Sequence, residues 1–240
     1  MSLLTLLLAA CAAHAPVDAP APAPAPAAAP AAPPAGKPGI NDNFLDPSMK
    51  VDEWVQRFEA ESREVAARRA EVLAALALQP GEEVADVGAG TGLYTGAFAE
   101  AVGAEGLVYA VDVSPAFLAR LRDRAATDPA WSTVRVVEAT ADSSQLAPGS
   151  VDAVFVCDTY HHFERPAETL ASLFAALRPG GRLYVLDFER IEGTSTPWVL
   201  EHVRAGQDGF AAEIEAAGFT GRTALEAGLT ENYLLRFTRP

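Results

Sequence analysis

Residues 84–96 read VADVGAGTGLYTG: a run of small apolar residues ends in an acid, Asp86, and glycines follow at every second position, Gly88, Gly90 and Gly92. A strand that runs into a glycine turn and then a helix is how several unrelated enzyme classes hold a nucleotide. The spacing therefore decides the fold before it decides the ligand.

Outward from this stretch, short apolar runs alternate with helical patterns. Strands are expected at Glu83–Val87, Leu107–Val111, Val134–Glu138, Val151–Cys157 and Arg182–Phe188, with helices at Tyr94–Ala101, Pro115–Arg124 and Pro166–Leu177 between them. Such alternation means βαβ units and a parallel, doubly wound sheet with helices on both faces. The end differs: a helix at Phe210–Ala217 and two strand-like runs, Thr220–Ala227 and Asn232–Thr238, are expected to close the sheet as a hairpin. Upstream, Trp54, Val55, Phe58, Val65, Val72, Leu73 and Leu76 recur at helical spacing, which predicts one or two amphipathic helices ended by Pro80-Gly81.

In a doubly wound sheet the ligand lies at the carboxyl ends of the strands. Acids stand at those ends: Asp86 on the first strand, Asp112 after the second, Asp142 after the third and Asp158 after the fourth. One such aspartate is ordinarily a helix cap or loop residue; the full set points to a site. A phosphate-binding lysine loop is excluded, because the turn lacks Gly-Lys-Ser/Thr and no lysine follows Lys50. The dinucleotide pattern fails where Leu93 replaces its third glycine, and the Tyr-x-x-x-Lys of short-chain dehydrogenases fails after Tyr160, at Glu164. Asp112 still argues for a ribose with two free hydroxyls. What remains is a nucleoside without phosphates.

The segments VADVGAGTG, VYAVDVSP, EATADSSQL, VDAVFVCDTYHHF and LRPGGRLYVLDF, in this order, resemble the class I S-adenosylmethionine-dependent methyltransferases, and most of all the small-molecule enzymes related to ubiquinone and menaquinone biosynthesis. The resemblance covers about residues 51–240. It implies a Rossmann-like seven-stranded α/β sheet, mostly parallel with a C-terminal antiparallel hairpin. It also implies S-adenosylmethionine as cofactor. Gly88, Ala89 and Gly90 would lie against its methionine part, with Asp86 anchoring that turn. Asp112 would accept the ribose hydroxyls, Val113 would pack on the adenine, Asp142 would accept from the adenine amino group beside Ala141 and Ser143, and Asp158 would border the methyl end. Leu177–Gly181 would be a structural turn into the fifth strand.

Methyl transfer is an in-line displacement that asks for alignment and exclusion of water, and no metal centre is expected. His161 and His162 are the candidates for a base, since imidazole titrates near neutrality. Tyr160, with Phe163, is a candidate for the substrate wall. Trp54 and Phe58 are expected in a helical lid over residues 42–79, and Trp198 and His202 could face the same cavity. The alternatives are an aminopropyl transferase-like enzyme, which would need further acids for a polyamine, and a cofactor-binding protein that never turns over.

The front of the chain is of another kind. Leu3–Ala10 is a short apolar run, and Leu8-Ala9-Ala10-Cys11 resembles the lipobox of bacterial lipoproteins, although Met1-Ser2 offers no basic residue. This predicts a signal peptide over 1–10, acylation of Cys11, and a Pro/Ala tether over 11–41 ahead of a methyltransferase domain at 42–240. The protein would then face the periplasm, held to the membrane by lipid alone; without acylation it would be cytoplasmic. Cys157 is the second of two cysteines, so no disulfide and no cysteine metal site are expected. A net charge of −14 without a cluster of basic residues excludes a nucleic-acid partner. A small-molecule substrate is the expected partner.

Overall fold

The computed structural model describes residues 36–60 and 63–240. The leader, Cys11 and the tether up to residue 35 lie outside the described residues. The strands are β1 (Glu83–Val87), β2 (Leu107–Asp112), β3 (Val134–Glu138), β4 (Val151–Cys157), β5 (Leu177–Phe188), β6 (Thr220–Ala224) and β7 (Asn232–Thr238). They form one seven-stranded sheet in the order β3-β2-β1-β4-β5-β7-β6. The first five run parallel, whereas β7 is antiparallel to both β5 and β6. This is the doubly wound sheet with a closing hairpin that the alternation predicts.

Side chains alternate across the sheet with the period of two that pleating imposes. Ala85, Val87, Val154, Val156, Leu183 and Val185 pack on one face, beneath α7 (Pro166–Ala176) and α9 (Gln207–Ala216). Val84, Ala153, Phe155, Tyr184 and Leu186 pack on the other, against α4 (Arg69–Leu76) and α5 (Thr95–Val102). The helix α6 (Pro115–Thr127) starts where a serine precedes a proline: Ser114 caps it, and Pro115 takes the first helical position, where no backbone donor is needed.

Leu177–Gly181 is not a turn into the fifth strand but part of it. Leu177 pairs with Val151, and the register then shifts before Arg182 pairs with Ala153. A bulge at Gly180, whose φ is +80°, absorbs the extra residues.

Ahead of the sheet, the stretch expected as a helical lid folds into α1 (Asp42–Leu45), α2 (Val51–Phe58), α3 (Glu64–Ala67) and α4, of which α4 packs on the face of the sheet through Val72 and Leu76 and does not line the cavity. Hydrogen bonds fasten it to the rest of the domain at several places, among them the following two. The Ser114 hydroxyl donates to the Phe44 carbonyl at 2.6 Å. At the other end the Glu64 carboxylate accepts from the backbone N–H groups of Thr230, Glu231 and Asn232 and from the Thr230 hydroxyl, at 2.6–2.9 Å. Burial works to raise the pKa of Glu64, but these donors outweigh it and hold the group below the usual carboxylate range.

Candidate active site

The glycine turn folds back over the end of β2. The N–H groups of Gly88 and Ala89 both donate to the Val111 carbonyl, at 2.8 and 3.1 Å. Gly88 and Gly90 adopt φ of +74° and +53°, and a Cβ on Gly88 would collide with Thr159. The turn therefore needs glycine for conformation and for space. Asp112 locks it. Its Oδ2 accepts from the Gly90 N–H and its Oδ1 from the Ser114 N–H, both at 2.8 Å. A carboxylate has about four lone-pair positions, so each oxygen retains acceptor capacity.

This turn floors a cavity of about 730 Å3, within the roughly 300–1,000 Å3 typical of small-molecule sites. Asp86, Gly88, Ala89, Gly90, Asp112, Val113, Ala141, Ser143 and Asp158 all line it. The lid covers it with a cluster of rings. Phe44 lies 4.8 Å from Trp54 and 5.9 Å from Phe117, and Trp54 lies 5.1 Å from Phe58, centroid to centroid.

Three carboxylates at the strand ends are pushed up by burial. Asp86 rises to about 7, burial and the nearby Asp112 outweighing the hydrogen bond from the Thr95 hydroxyl. Asp112 is raised by burial against the donors of Ser114, Gly90 and Val113. Burial also raises Asp158, although Arg63 opposes it. Asp158 carries a left-handed backbone, φ +46°, and its carboxylate is held by Arg63 and, at 2.7 Å, by the amide of Asn232. Acids around a glycine turn repel a pyrophosphate and favour a ligand that brings positive charge and hydroxyl donors. S-adenosylmethionine brings an ammonium, a sulfonium and two ribose hydroxyls, so this donor set fits it.

Two predicted residues stand elsewhere. Asp142 does not line the cavity: its carboxylate accepts from the Thr140 hydroxyl at 2.7 Å and pairs with Arg165 at 3.4 Å. Tyr160 is packed in the core between Phe163 and Phe210, and its hydroxyl donates to Glu213 at 2.8 Å. The helical turn Tyr160–His162 sends this ring inward and the two histidines into the cavity.

His161 is fully buried. Its Nδ1 lies 2.7 Å from Asp187 Oδ1, and its backbone N–H donates to the same carboxylate. His162 Nδ1 lies 3.1 Å from Asn41 Oδ1. Its Nε2 lies 3.3 Å from Nε2 of His202, at the end of α8 (Pro197–His202). His202 stacks on Trp198, centroids 4.6 Å apart, and both line the cavity. Burial and the neighbouring imidazoles push His162 down to about 2; burial, His161 and nearby cations push His202 down to about 4. Both stay neutral near pH 7. Asn41 and Asp187, the partners that orient this cluster, carry no signal in the sequence, because 120 residues separate Asn41 from the ring it holds, as the numbering 41 and 162 shows.

A seven-stranded sheet of this order, with a glycine turn locked by the acid after β2 and a covered cavity at the strand ends, is the arrangement that class I S-adenosylmethionine-dependent methyltransferases share. Residues 85–185 match the family described as a methyltransferase domain. The chain is 31% identical over 115 residues to the ubiquinone/menaquinone biosynthesis C-methyltransferase UbiE of a Marinomonas species, across 48% of this chain and 46% of that protein. It thus spans about half the length of the curated relatives it matches. Among solved structures it is similar to a SAM dependent methyltransferase from Aquifex aeolicus, with a TM-score of 0.69 and 22% identity over 80% of this chain and 99% of that one. It is also similar to the cyclase SpnF, with a TM-score of 0.61 and 18% identity over 73% and 81% of the two chains. At these identities the structures establish the fold alone.

Proposed function

We propose that the protein transfers a methyl group from S-adenosylmethionine to a small, predominantly apolar acceptor. The observation that carries this reading is a single cavity with two chemically distinct ends: the buried Asp112 on its glycine turn at one, and aromatic rings with three histidines at the other. When bound, the cofactor supplies a methyl group on a sulfonium, which leaves by in-line displacement. Asp112 offers its remaining lone pairs to the ribose hydroxyls. Asp86 and the glycine turn receive the ammonium end, and Val113 offers the adenine an apolar face. Asp142 can serve the adenine amino group only by turning from Arg165, which costs little because that pair is exposed. The rings of Phe44, Trp54 and Phe58 exclude water from the path of transfer.

Activation of the acceptor falls to the histidines. His161 leads, because Asp187 accepts from its Nδ1–H and leaves the Nε2 lone pair for the cavity. Among the described residues that line the acceptor end, Asp158 is already held by Arg63 and Asn232, which leaves no unpaired acid there for a polyamine. The cyclase SpnF shares the fold, so fold alone does not separate transfer from other chemistry. Incubation with methyl-labelled S-adenosylmethionine and a panel of lipid-soluble phenols and quinols makes the separation. Label is expected in the organic extract, matched by S-adenosylhomocysteine. Cofactor binding with no homocysteine product would leave a binding protein.

The site of action follows from Leu8-Ala9-Ala10-Cys11: we place the protein on a membrane through an acylated Cys11. No helix among the described residues is long and apolar enough to cross a membrane. Cys11→Ser is expected to move the protein from the membrane fraction to the soluble one, because a lipobox cysteine carries several acyl chains and anchors firmly. Equal membrane association of the two forms would refute the anchor.

A further inference from the structure

Three imidazoles meeting at one point is more than methyl transfer from a sulfonium requires. One ring nitrogen from each of His161, His162 and His202 lies within 4.8 Å of the other two. Their hydrogen bonds settle which nitrogens are free. Asp187 can only accept, so His161 carries its proton on Nδ1. The Asn41 amide nitrogen is committed to the His162 carbonyl and to Glu164, both at 3.1 Å, which leaves Oδ1 as the atom facing His162. That oxygen also accepts, so His162 likewise holds its proton on Nδ1. Both rings then present an Nε2 lone pair, and the Nε2 of His202 stands 3.3 Å from that of His162.

We propose that His161, His162 and His202 form a site for a divalent transition-metal ion of zinc-like preference, bound through their Nε2 atoms with a fourth position open to the acceptor. Zinc–nitrogen bonds of about 2.0–2.1 Å in a tetrahedron set the nitrogens about 3.4 Å apart. The His162–His202 pair already meets that spacing, and the ligand nitrogen of His161 lies within 4.8 Å of both. Three histidines and an open position make up one of the ligand sets of catalytic zinc. The carboxylate behind His161 and the amide behind His162 are the outer partners that fix tautomer and aim in such sites. In the metal-free protein the Nε2–H of His202 donates to Nε2 of His162; when the ion binds, the His202 proton passes through solvent to its Nδ1, and the ion takes the Nε2 lone pair that this leaves.

The consequence for catalysis rests on the methyltransferase reading, whereas the ion site does not. An acceptor hydroxyl at the open position gives its proton to solvent more readily. Its oxygen then forms the bond to the methyl carbon as the carbon–sulfur bond breaks, and that electron pair stays on sulfur.

The test uses the full chain, stripped with a chelator, dialysed, and titrated with Co2+ by visible absorption and with Zn2+ by calorimetry. One ion per chain is expected, with the intense visible bands of four-coordinate cobalt. His202→Ala and His162→Ala should weaken binding by at least about 100-fold, and Asn41→Ala by about 10- to 100-fold. Melting curves of the metal-free variants show whether each is folded; a variant that is not is replaced by the glutamine substitution at the same position. Binding that survives both histidine substitutions places the ion elsewhere, on His14 or Cys11, and overturns the site. So does the absence of saturable binding in wild type. If the ion binds as expected but chelation leaves methyl transfer unchanged, its part in activating the acceptor is overturned.

Discussion

Replacing His161 by glutamine is expected to lower turnover by about 100- to 10,000-fold while S-adenosylmethionine affinity changes little. The ring stands at the acceptor end, away from the glycine turn, and Asp187 fixes its Nδ1. Loss of this ring removes acceptor activation whether it acts by taking a proton or by holding an ion. A drop in acceptor affinity alone, with turnover intact, would reassign His161 to binding. Because the side chain is buried, the variant's melting temperature is measured beside its kinetics, and a collapse there would make His161 a core residue. His162→Gln is expected to act in the same direction.

Asp112→Ala is expected to weaken S-adenosylmethionine by about 2–4 kcal/mol, roughly 30- to 1,000-fold, through loss of charge-assisted hydrogen bonds to two hydroxyls. The substitution also frees the N–H groups of Gly90 and Ser114, so the turn loses its lock together with the ligand's acceptor. S-adenosylhomocysteine should weaken in parallel, since Asp112 serves the ribose and not the transferred methyl. Asp142→Ala is expected to cost less, about 1–2 kcal/mol at most, because that carboxylate is turned toward Arg165.

The sheet was legible because its signals are local. Pleating makes Ala85 and Val87 face one way and Val84 the other, and the glycine turn needs its residues for reasons that act within a few positions. Leu177–Gly181 misled for the same local reason: Pro179-Gly180-Gly181 looks like a turn, whereas pairing of Leu177 with Val151 carries the strand through it. The four-residue α1 has no room to express a helical period. In the site, position along the strands singles out Asp86, Asp112 and Asp158, which line the cavity, but equally Asp142, which turns toward Arg165. Where a side chain points within one helical turn was not legible, so Tyr160 was indistinguishable from its histidine neighbours. The partners Asn41 and Asp187 were hidden as well, because they reach the cluster through tertiary packing, whereas His202 was among the residues expected at the cavity. Arg63, which holds Asp158 from across the lid, was hidden too. The histidine cluster proposed as an ion site likewise has no signature in the sequence, since only the fold brings His202 to the pair at 161 and 162.

The measurement that bears most directly on the central claim is isothermal titration of the full chain with S-adenosylmethionine, S-adenosylhomocysteine and NAD. Buried carboxylates around the turn, and Leu93 where a pyrophosphate turn needs glycine, predict saturable binding of the first two, weakened together by Asp112→Ala. No binding of NAD is expected to wild type or variant. NAD binding that depends on Asp112, without binding of S-adenosylmethionine, would contradict the account.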